Sequence, residues 1–371
     1  MSAIPMTLDA LVDALTIRDL TDPAQGPHAM QLLVDSAVAA LGETTEIHLI
    51  RTSPLVPVED NYDRLGYKDD AIARDSRYAR YVSGACMLRG HTSAGIPSAL
   101  RRIAAKPETD DVLVALPGIC HRRDAIDRLH TGSPHQLDLW RLQRYKRRLD
   151  SNDLAEMVDM VLTAMLPGRT WQWTPARHPY TLQGRQIDVI DDGQLIEVAE
   201  CGLAAPAVLS DAGLDSRQWS GLALGIGLDR ALMLRKGIPD IRLLRSTDPR
   251  VTAQMLDLSP YRSVSDLPPA RRDLSVAVSR GSDAETLGDR VRDALGGEAN
   301  LVEEVAVVAI TPYDHVPAVA RERLGMLPGQ DNVLLHVVLR PIDRTMTADD
   351  ANALRDRIYD ILHEGEQTAA G

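Results

Sequence analysis

The run GLALGIGLDRALMLRKGIPDIRLL, Gly221–Leu244, restricts the fold more than any other part of this 371-residue chain. It reads as a glycine-rich strand running into a helix, with a single arginine, Arg230, at the junction. Gly225 and Gly227 carry no Cβ, so a flat ligand can lie close to the backbone there. The planar fork of Arg230 suits the oxygens of a phosphate-bearing group better than a lysine ammonium does. Alone, such a run is more often close strand–helix packing beside a surface arginine. Its weight comes from a second basic segment, about a hundred residues upstream.

That segment is PGICHRRDAIDRLHTGSPHQLDLW, Pro117–Trp140, preceded by the apolar strand Val112–Leu116. The pattern predicts an antiparallel hairpin. Arg122 and Asp124 share one face of the outgoing strand, and Gln136 and Asp138 repeat the two-residue spacing on the returning one. A buried face carrying a cation, carboxylates and an amide needs partners or a ligand, whereas a solvated hairpin face needs neither.

Together the two segments resemble motifs 2 and 3 of the class II aminoacyl-tRNA synthetases, in particular the catalytic module of the phenylalanyl type. The family's second motif has an arginine, an acidic residue, a histidine and then a His-Gln-hydrophobe-Glu run. This chain has Arg122, Asp124, His130 and His135-Gln136-Leu137-Asp138 without insertion or deletion. LRGHTS, Leu88–Ser93, stands beside the family's Leu-Arg-Thr-His-Thr-Ser. Asn61-Tyr62-Asp63, IEVAECGLAAPAVL (Ile196–Leu209) and the run from Ser220 onward match in the same order.

Spacing elsewhere sketches the elements. Leu8, Leu11 and Leu15, then Met30, Val34, Val38 and Leu41, recur at helical intervals within 1–45. Ile47–Val58 reads as a strand, followed by a helical patch ending near Gly90, the His91 loop and a helix through Arg102. Residues 152–165 read as a helix with Leu154, Met157, Val161 and Met165 inward, and strands follow at 169–174, 185–190 and 194–201. The composite is α+β: an antiparallel sheet flanked by helices. Residues 246–270, with Asp248-Pro249, Ser259-Pro260 and Pro268-Pro269, read as a linker. The pattern then resets as strand (Leu274, Val276, Val278), helix (283–295), strand (301–310), strand (Val333–Leu339) and helix (Ala348–Ile361), an order suggesting a ferredoxin-like βαββαβ sandwich. The expected division is therefore 1–245, 246–270 and 271–371. The last part resembles the family's C-terminal anticodon-binding domain, including Asp314 and the Arg344–Thr347 run. Single-chain synthetases of the mitochondrial type fuse that domain to the catalytic module, which implies tRNA as partner and no second subunit.

Composition is compatible with this. A formal charge of −12 argues against a general polyanion binder but leaves a local basic patch for tRNA open. Cys86, Cys120 and Cys201 are an odd number without CxxC spacing, as expected of incidental thiols in a reducing cytosol. No cationic-apolar leader and no membrane-length apolar run is evident, so a cytoplasmic protein without membrane association is expected.

The resemblance implies roles. Arg122 would contact the α-phosphate of ATP and Arg230 the γ-phosphate, with Gly225 and Gly227 beneath the nucleotide. Asp124 would position the adenine side and His130 the phosphates. His91, Ser93, Gln136 and Asp138 would surround the α-amino group of the amino acid, and Mg²⁺ would bridge phosphates without a dedicated metal cage. Departures cluster in the side-chain pocket. The family's Phe-Pro-Phe is His178-Pro179-Tyr180, its adenine-stacking phenylalanine is Pro134, its glutamate is the shorter Asp138, and a glycine turn has become Ala199-Glu200-Cys201. The family's histidine before Pro206 is Ala205, while Ala223 keeps the small side chain that leaves room at the ring's far edge. The chain has no phenylalanine at all, its places being taken by Tyr62, Leu209, Leu222, Leu224, Trp171 and Trp173. The expected substrate is phenylalanine or a related, more polar aromatic amino acid. The alternatives are an activating enzyme with a non-tRNA acceptor, and a non-catalytic paralogue that senses an amino acid or binds tRNA.

Overall fold

Both segments singled out in the sequence contribute strands to one sheet, where residues 223–227 of the first pair directly with residues 136–140 of the second. The computed structural model describes residues 4–42, 46–106, 108–145, 147–264, 268–342 and 344–366. These form two compact units that interleave along the chain. The first comprises residues 1–122, 133–239 and 253–261; the second comprises 123–132, 240–252 and 262–371. Sequence placed one linker at 246–270, of which 265–267 lie outside the described residues.

The strands of the first unit are β1 (Glu46–Leu49), β2 (Leu55–Pro57), β3 (Arg80–Tyr81), β4 (Cys86–Leu88), β5 (Asp111–Ile119), β6 (His135–Arg144), β7 (Trp171–Pro175), β8 (Thr181–Asp191), β9 (Gln194–Ala204) and β10 (Trp219–Gly227). Seven of them form a sheet in the order β1-β5-β6-β10-β9-β8-β7, and β2-β4-β3 form a small separate one. Within the large sheet β1 pairs with β5 in parallel and the other pairs are antiparallel. The helices are α1 (Leu8–Thr16), α2 (Ala29–Leu41), α3 (Val58–Asn61), α4 (Ile96–Ala104), α5 (Ser151–Met165), α6 (Pro206–Asp211) and α7 (Leu228–Lys236). The α+β class is as expected.

Helix α5 shows how the sequence builds these elements. Asp150 caps it in a reciprocal box with Asp153, and Leu154, Met157, Val161 and Met165 are all buried. On one side of the sheet, Val112, Val114 and Leu116 of β5 pack with Trp140 and Leu142 of β6 and Ala223 of β10. Ile96, Leu100 and Ile103 of α4 and Val208 and Leu209 of α6 complete that core. Each fully buried aliphatic side chain there stabilises the unit by about 1.5–3 kcal/mol relative to exposure.

Three local expectations need correction. Ile47–Val58 is not one strand. It breaks into β1 and β2 in different sheets, with Pro54, which cannot donate to a continuous ladder, between them. The supposed helical patch before Gly90 is two 3₁₀ turns, Asp63–Leu65 and Ile72–Arg74, followed by β3 and β4. Gly66, left-handed at φ 79°, ends the first turn. Arg122 and Asp124 are not on a strand either. The β5–β6 ladder closes with Cys120 N–H donating to Pro134 O, and the chain then turns so that His121 N–H reaches Arg89 O. Pro134 has no N–H with which to extend the pairing.

The second unit contains α8 (Pro249–Thr252), β11 (Ala270–Ser279), α9 (Ala284–Leu295), β12 (Val302–Pro312), α10 (Ala318–Arg323), β13 (Gln330–Leu339) and α11 (Ala348–Leu362). The strand order is β11-β13-β12, antiparallel throughout, and α9 and α11 bury Leu287, Val291, Leu354 and Ile358 against it. Among the described residues the expected fourth strand is absent. The chain after α11 instead makes one backbone bond to β11, from Glu364 N–H to Ala277 O.

The segment 123–132, between β5 and β6 in sequence, is built into this unit. Ile126 is part of its apolar core, and Val305 N–H donates to Ile126 O at 3.0 Å. Arg292 donates to the carbonyls of Asp124 and Ala125 at 2.6 and 2.5 Å. Arg123 pairs at 2.7 Å with the fully buried Asp289. Gly288 makes the approach possible, since a Cβ there would lie 3.0 Å from Ile126 N and 3.1 Å from Asp124 O. Among the described residues no helix is long and apolar enough to cross a membrane.

Candidate active site

Strand register gathers the polar residues of the first unit. Alternate side chains face the same side of a sheet, so Gln136, Asp138 and Trp140 of β6 share a face. On β10, Gly227 lies opposite Gln136, Gly225 opposite Asp138, and Ala223 opposite Trp140. On β9, Glu200 lies opposite Gly225 and Gly202 opposite Ala223. A strip of small residues thus runs between the polar row of β6 and Glu200. A Cβ at Gly225 would come no closer than 3.9 Å to any atom, and one at Gly227 no closer than 3.7 Å. The protein itself leaves room for a methyl group at both positions.

Asp138 is buried and tightly held. Thr92 Oγ1 donates to it at 2.6 Å, Ser93 Oγ to both its oxygens at 3.0 Å, and Trp140 Nε1 at 3.3 Å. Burial pushes its carboxyl above the usual range, and the Thr92, Ser93 and Trp140 hydrogen bonds oppose that rise. Gln136 Oε1 accepts from Thr92 N–H at 3.2 Å and from Cys120 Sγ at 3.5 Å. The turn Thr92–Gly95 is therefore bound to β6 by two side chains.

His91 begins that turn. Both its ring nitrogens are buried, and the backbone of Asn61 is the polar group that reaches the ring. Burial, followed by the nearby Arg122 and His178 charges, pushes its pKa down to about 3, so it is neutral at physiological pH. Arg122 donates Nε to Gly90 O at 2.5 Å. Rings surround the site: Tyr67 stacks on His91 at 5.9 Å and lies 6.2 Å from Tyr180, which is 5.4 Å from His178 and 6.3 Å from Trp140. His178 Nε2 pairs with Glu200 Oε2 at 2.9 Å, and this bond raises the histidine's pKa. Burial, then the Glu200 charge, pushes the Tyr67 hydroxyl up to about 12.

Arg230 sits in the first turn of α7 and donates Nη1 to Glu197 O at 3.2 Å. The neighbouring Asp229 orders the start of β6. It accepts from His135 N–H, and its other oxygen lies 3.0 Å from His135 Nδ1. Because His135 Nε2 accepts from Leu20 N–H at 3.1 Å, Nδ1 carries the proton and donates to Asp229.

A face with a buried carboxylate, a half-buried amide, two arginines and a glycine strip is suited to an anionic, flat ligand and an amine together. Residues 46–255 match the family described as tRNA synthetases class II core domain (F), more than half of the chain. The chain belongs to the class II tRNA synthetases.

Among this synthetase's relatives is the phenylalanine--tRNA ligase alpha subunit of Prochlorococcus marinus (strain MIT 9313), 34% identical over 194 residues. That match spans 52% of this chain and 56% of the relative, so the chain spans little more than half of that protein's length. The chloroplastic/mitochondrial phenylalanine--tRNA ligase of Arabidopsis thaliana is 25% identical over 328 residues, 84% of this chain and 70% of that one. A pyrrolysyl tRNA synthetase, Desulfitobacterium hafniense PylSc, aligns in structure with a TM-score of 0.45 and 15% identity, over 64% of this chain and 77% of that one.

Of the residues expected at the synthetase site, the first unit brings together His91, Ser93, Arg122, Gln136, Asp138, His178, Tyr180, Glu200, Ala223, Gly225 and Gly227, with Arg230 at the end of the glycine strip. Asp124 and His130 belong instead to the second unit, where His130 Nδ1 is held by Asp127 at 2.7 Å. Sequence reasoning missed Thr92, Trp140 and Tyr67. Trp140 follows from alternation two residues after Asp138, and Thr92 lies inside LRGHTS. Tyr67 comes from a loop with no periodic signal.

Proposed function

We propose that this chain activates an amino acid with ATP and transfers it to tRNA, as a phenylalanyl-type ligase. The carrying observation is the glycine strip Gly225–Gly227, open enough for a Cβ yet without one, ending at Arg230 and facing Gln136 and Asp138. In the activation step a substrate carboxylate oxygen bonds to the α-phosphorus of ATP as the bond to pyrophosphate breaks. The protein's part is positioning and charge neutralisation.

Arg122 would neutralise the α-phosphate and Arg230 the γ-phosphate. Gln136, Ser93 and the neutral His91 would orient the amino acid's polar end. Asp138 supplies the negative field for the ammonium while Thr92 and Ser93 hold it in place. Mg²⁺ would be carried by the phosphates, since the described residues include no group of three or more potential metal ligands. The second unit would bind the tRNA anticodon. Similarity to the organellar enzyme over 84% of the chain supports function without a separate subunit.

Amino-acid-dependent ATP–pyrophosphate exchange tests the first step, and charging of purified tRNA tests the second. Exchange without charging would favour a different acceptor, such as a carrier protein, with which the −12 charge is compatible. No exchange with any amino acid, from folded protein, would refute the assignment.

A further inference from the structure

We infer that the side-chain pocket selects an α-amino acid shorter than phenylalanine whose side chain ends in a hydrogen-bond donor (hydroxyl, amide or amine), with Glu200 as its acceptor. This rests on the activation reaction proposed above and names its substrate class.

Space is the first reason. Trp140 projects from the face that carries Gln136 and Asp138, directly opposite Ala223, and is completely buried. Its indole stacks with Tyr180 at 6.3 Å with the rings inclined by 27°. The small residue Ala223 on the neighbouring strand thus faces an indole belonging to the chain itself, while the space over Gly202, one strand further on, is filled by Thr181, whose Cβ would lie 2.6 Å from a Cβ there. The ring-sized room that Ala223 creates is taken by that indole.

Polarity is the second. Glu200 stands in the same cross-strand row as Asp138 and Gly225. Only its Oε2 is engaged by His178, and its side chain keeps 37% of its exposure. An apolar side chain pushed against it would strip water from a carboxylate and return nothing, whereas a donor would replace that water.

The test measures exchange and equilibrium binding, the latter by calorimetry, over serine, threonine, asparagine, glutamine, short diamino acids, tyrosine and phenylalanine. It uses the full chain and its Glu200→Gln and Trp140→Leu variants. A donor-bearing short side chain should be preferred over phenylalanine by roughly 100-fold or more in kcat/KM. Glu200→Gln should reduce that preference about 10- to 100-fold, and Trp140→Leu should raise acceptance of phenylalanine. Best activity with phenylalanine, unaltered by Glu200→Gln, would overturn the inference even if Trp140→Leu failed to fold. Selective binding of a short polar amino acid without any exchange would uphold the pocket's specificity while refuting the activation reaction. Absence of both binding and exchange would overturn both.

Discussion

Thr92→Val tests the organisation of the site most directly, because valine keeps the shape of threonine and removes one donor. That donor makes a 2.6 Å bond to a carboxylate buried to 3% exposure. A hydrogen bond to a charged group contributes about 1.5–3 kcal/mol, and the buried oxygen has no water to replace it. Ser93 and Trp140 remain, so the expected loss lies within that range. For a unit of this size it corresponds to a fall of roughly 3–12 °C in its melting temperature. The assay is calorimetry or denaturant unfolding of wild type, Thr92→Val, Asp138→Asn and the double variant. The cycle should show a coupling of about 1.5–3 kcal/mol.

The sign with pH follows from the raised Asp138 pKa. The folded state binds the Asp138 proton more tightly than the unfolded chain does. The ionisation penalty is therefore complete above the folded pKa and vanishes as pH falls below the unfolded value near 3.8. Removing the Thr92 bond raises that pKa further, so the variant's deficit should shrink on acidification. A coupling under about 0.5 kcal/mol, or a deficit that grows at low pH, would refute the claim that Thr92 and Asp138 act together.

Asp289→Asn should destabilise the second unit by about 2–3 kcal/mol, since Arg123 then faces a neutral group, and calorimetry that resolves the two units would place the loss there. Gly118→Ala should cost at least about 3 kcal/mol in thermal unfolding, because its Cβ would fall 2.0 Å from Nη2 of the buried Arg89, which is itself held by Ile119 O and Thr52. Tyr180→Phe should shift kcat/KM toward apolar substrates by about 10-fold, and an unchanged ratio would remove Tyr180 from the pocket. His178→Asn should lower the apparent affinity for the preferred amino acid in proportion to the lost Glu200 contact, read from KM with kcat unchanged.

Periodic segments were legible in the sequence because burial enforces period. The four inward positions of α5, the β10–α7 junction and the strands and helices of the second unit all carry it. Residues 50–90 were not, because 3₁₀ turns and strands of two or three residues are too short to repeat a pattern. At the site, Gln136 and Asp138 came from alternation and the glycines from their missing side chains, while the family resemblance assigned their roles. The same alternation reaches Trp140, but an aromatic there is equally at home in a core. Arg122 and Asp124 were misplaced on a strand because their two-residue spacing is also what an irregular loop can show by chance. Nothing local announces that the segment following Arg122 packs with residues such as Leu287 and Val305, far along the chain.

That packing has a consequence for synthesis and for dissection of the protein. Ile126 leaves the ribosome long before Val276, Leu287, Val305 and Leu335, which belong to the same core. At ordinary elongation rates the delay is on the order of 10–30 s, during which the β5–β6 connection carries an uncovered apolar side chain and an arginine awaiting Asp289. A fragment stopped anywhere before Ala270 never ends that wait. Cutting the chain at its proline-rich stretch therefore does not yield a free-standing amino-terminal piece. It yields a hairpin with a loose tip, prone to clip or to associate, and the lost order would fall on Asp124 and His130 first.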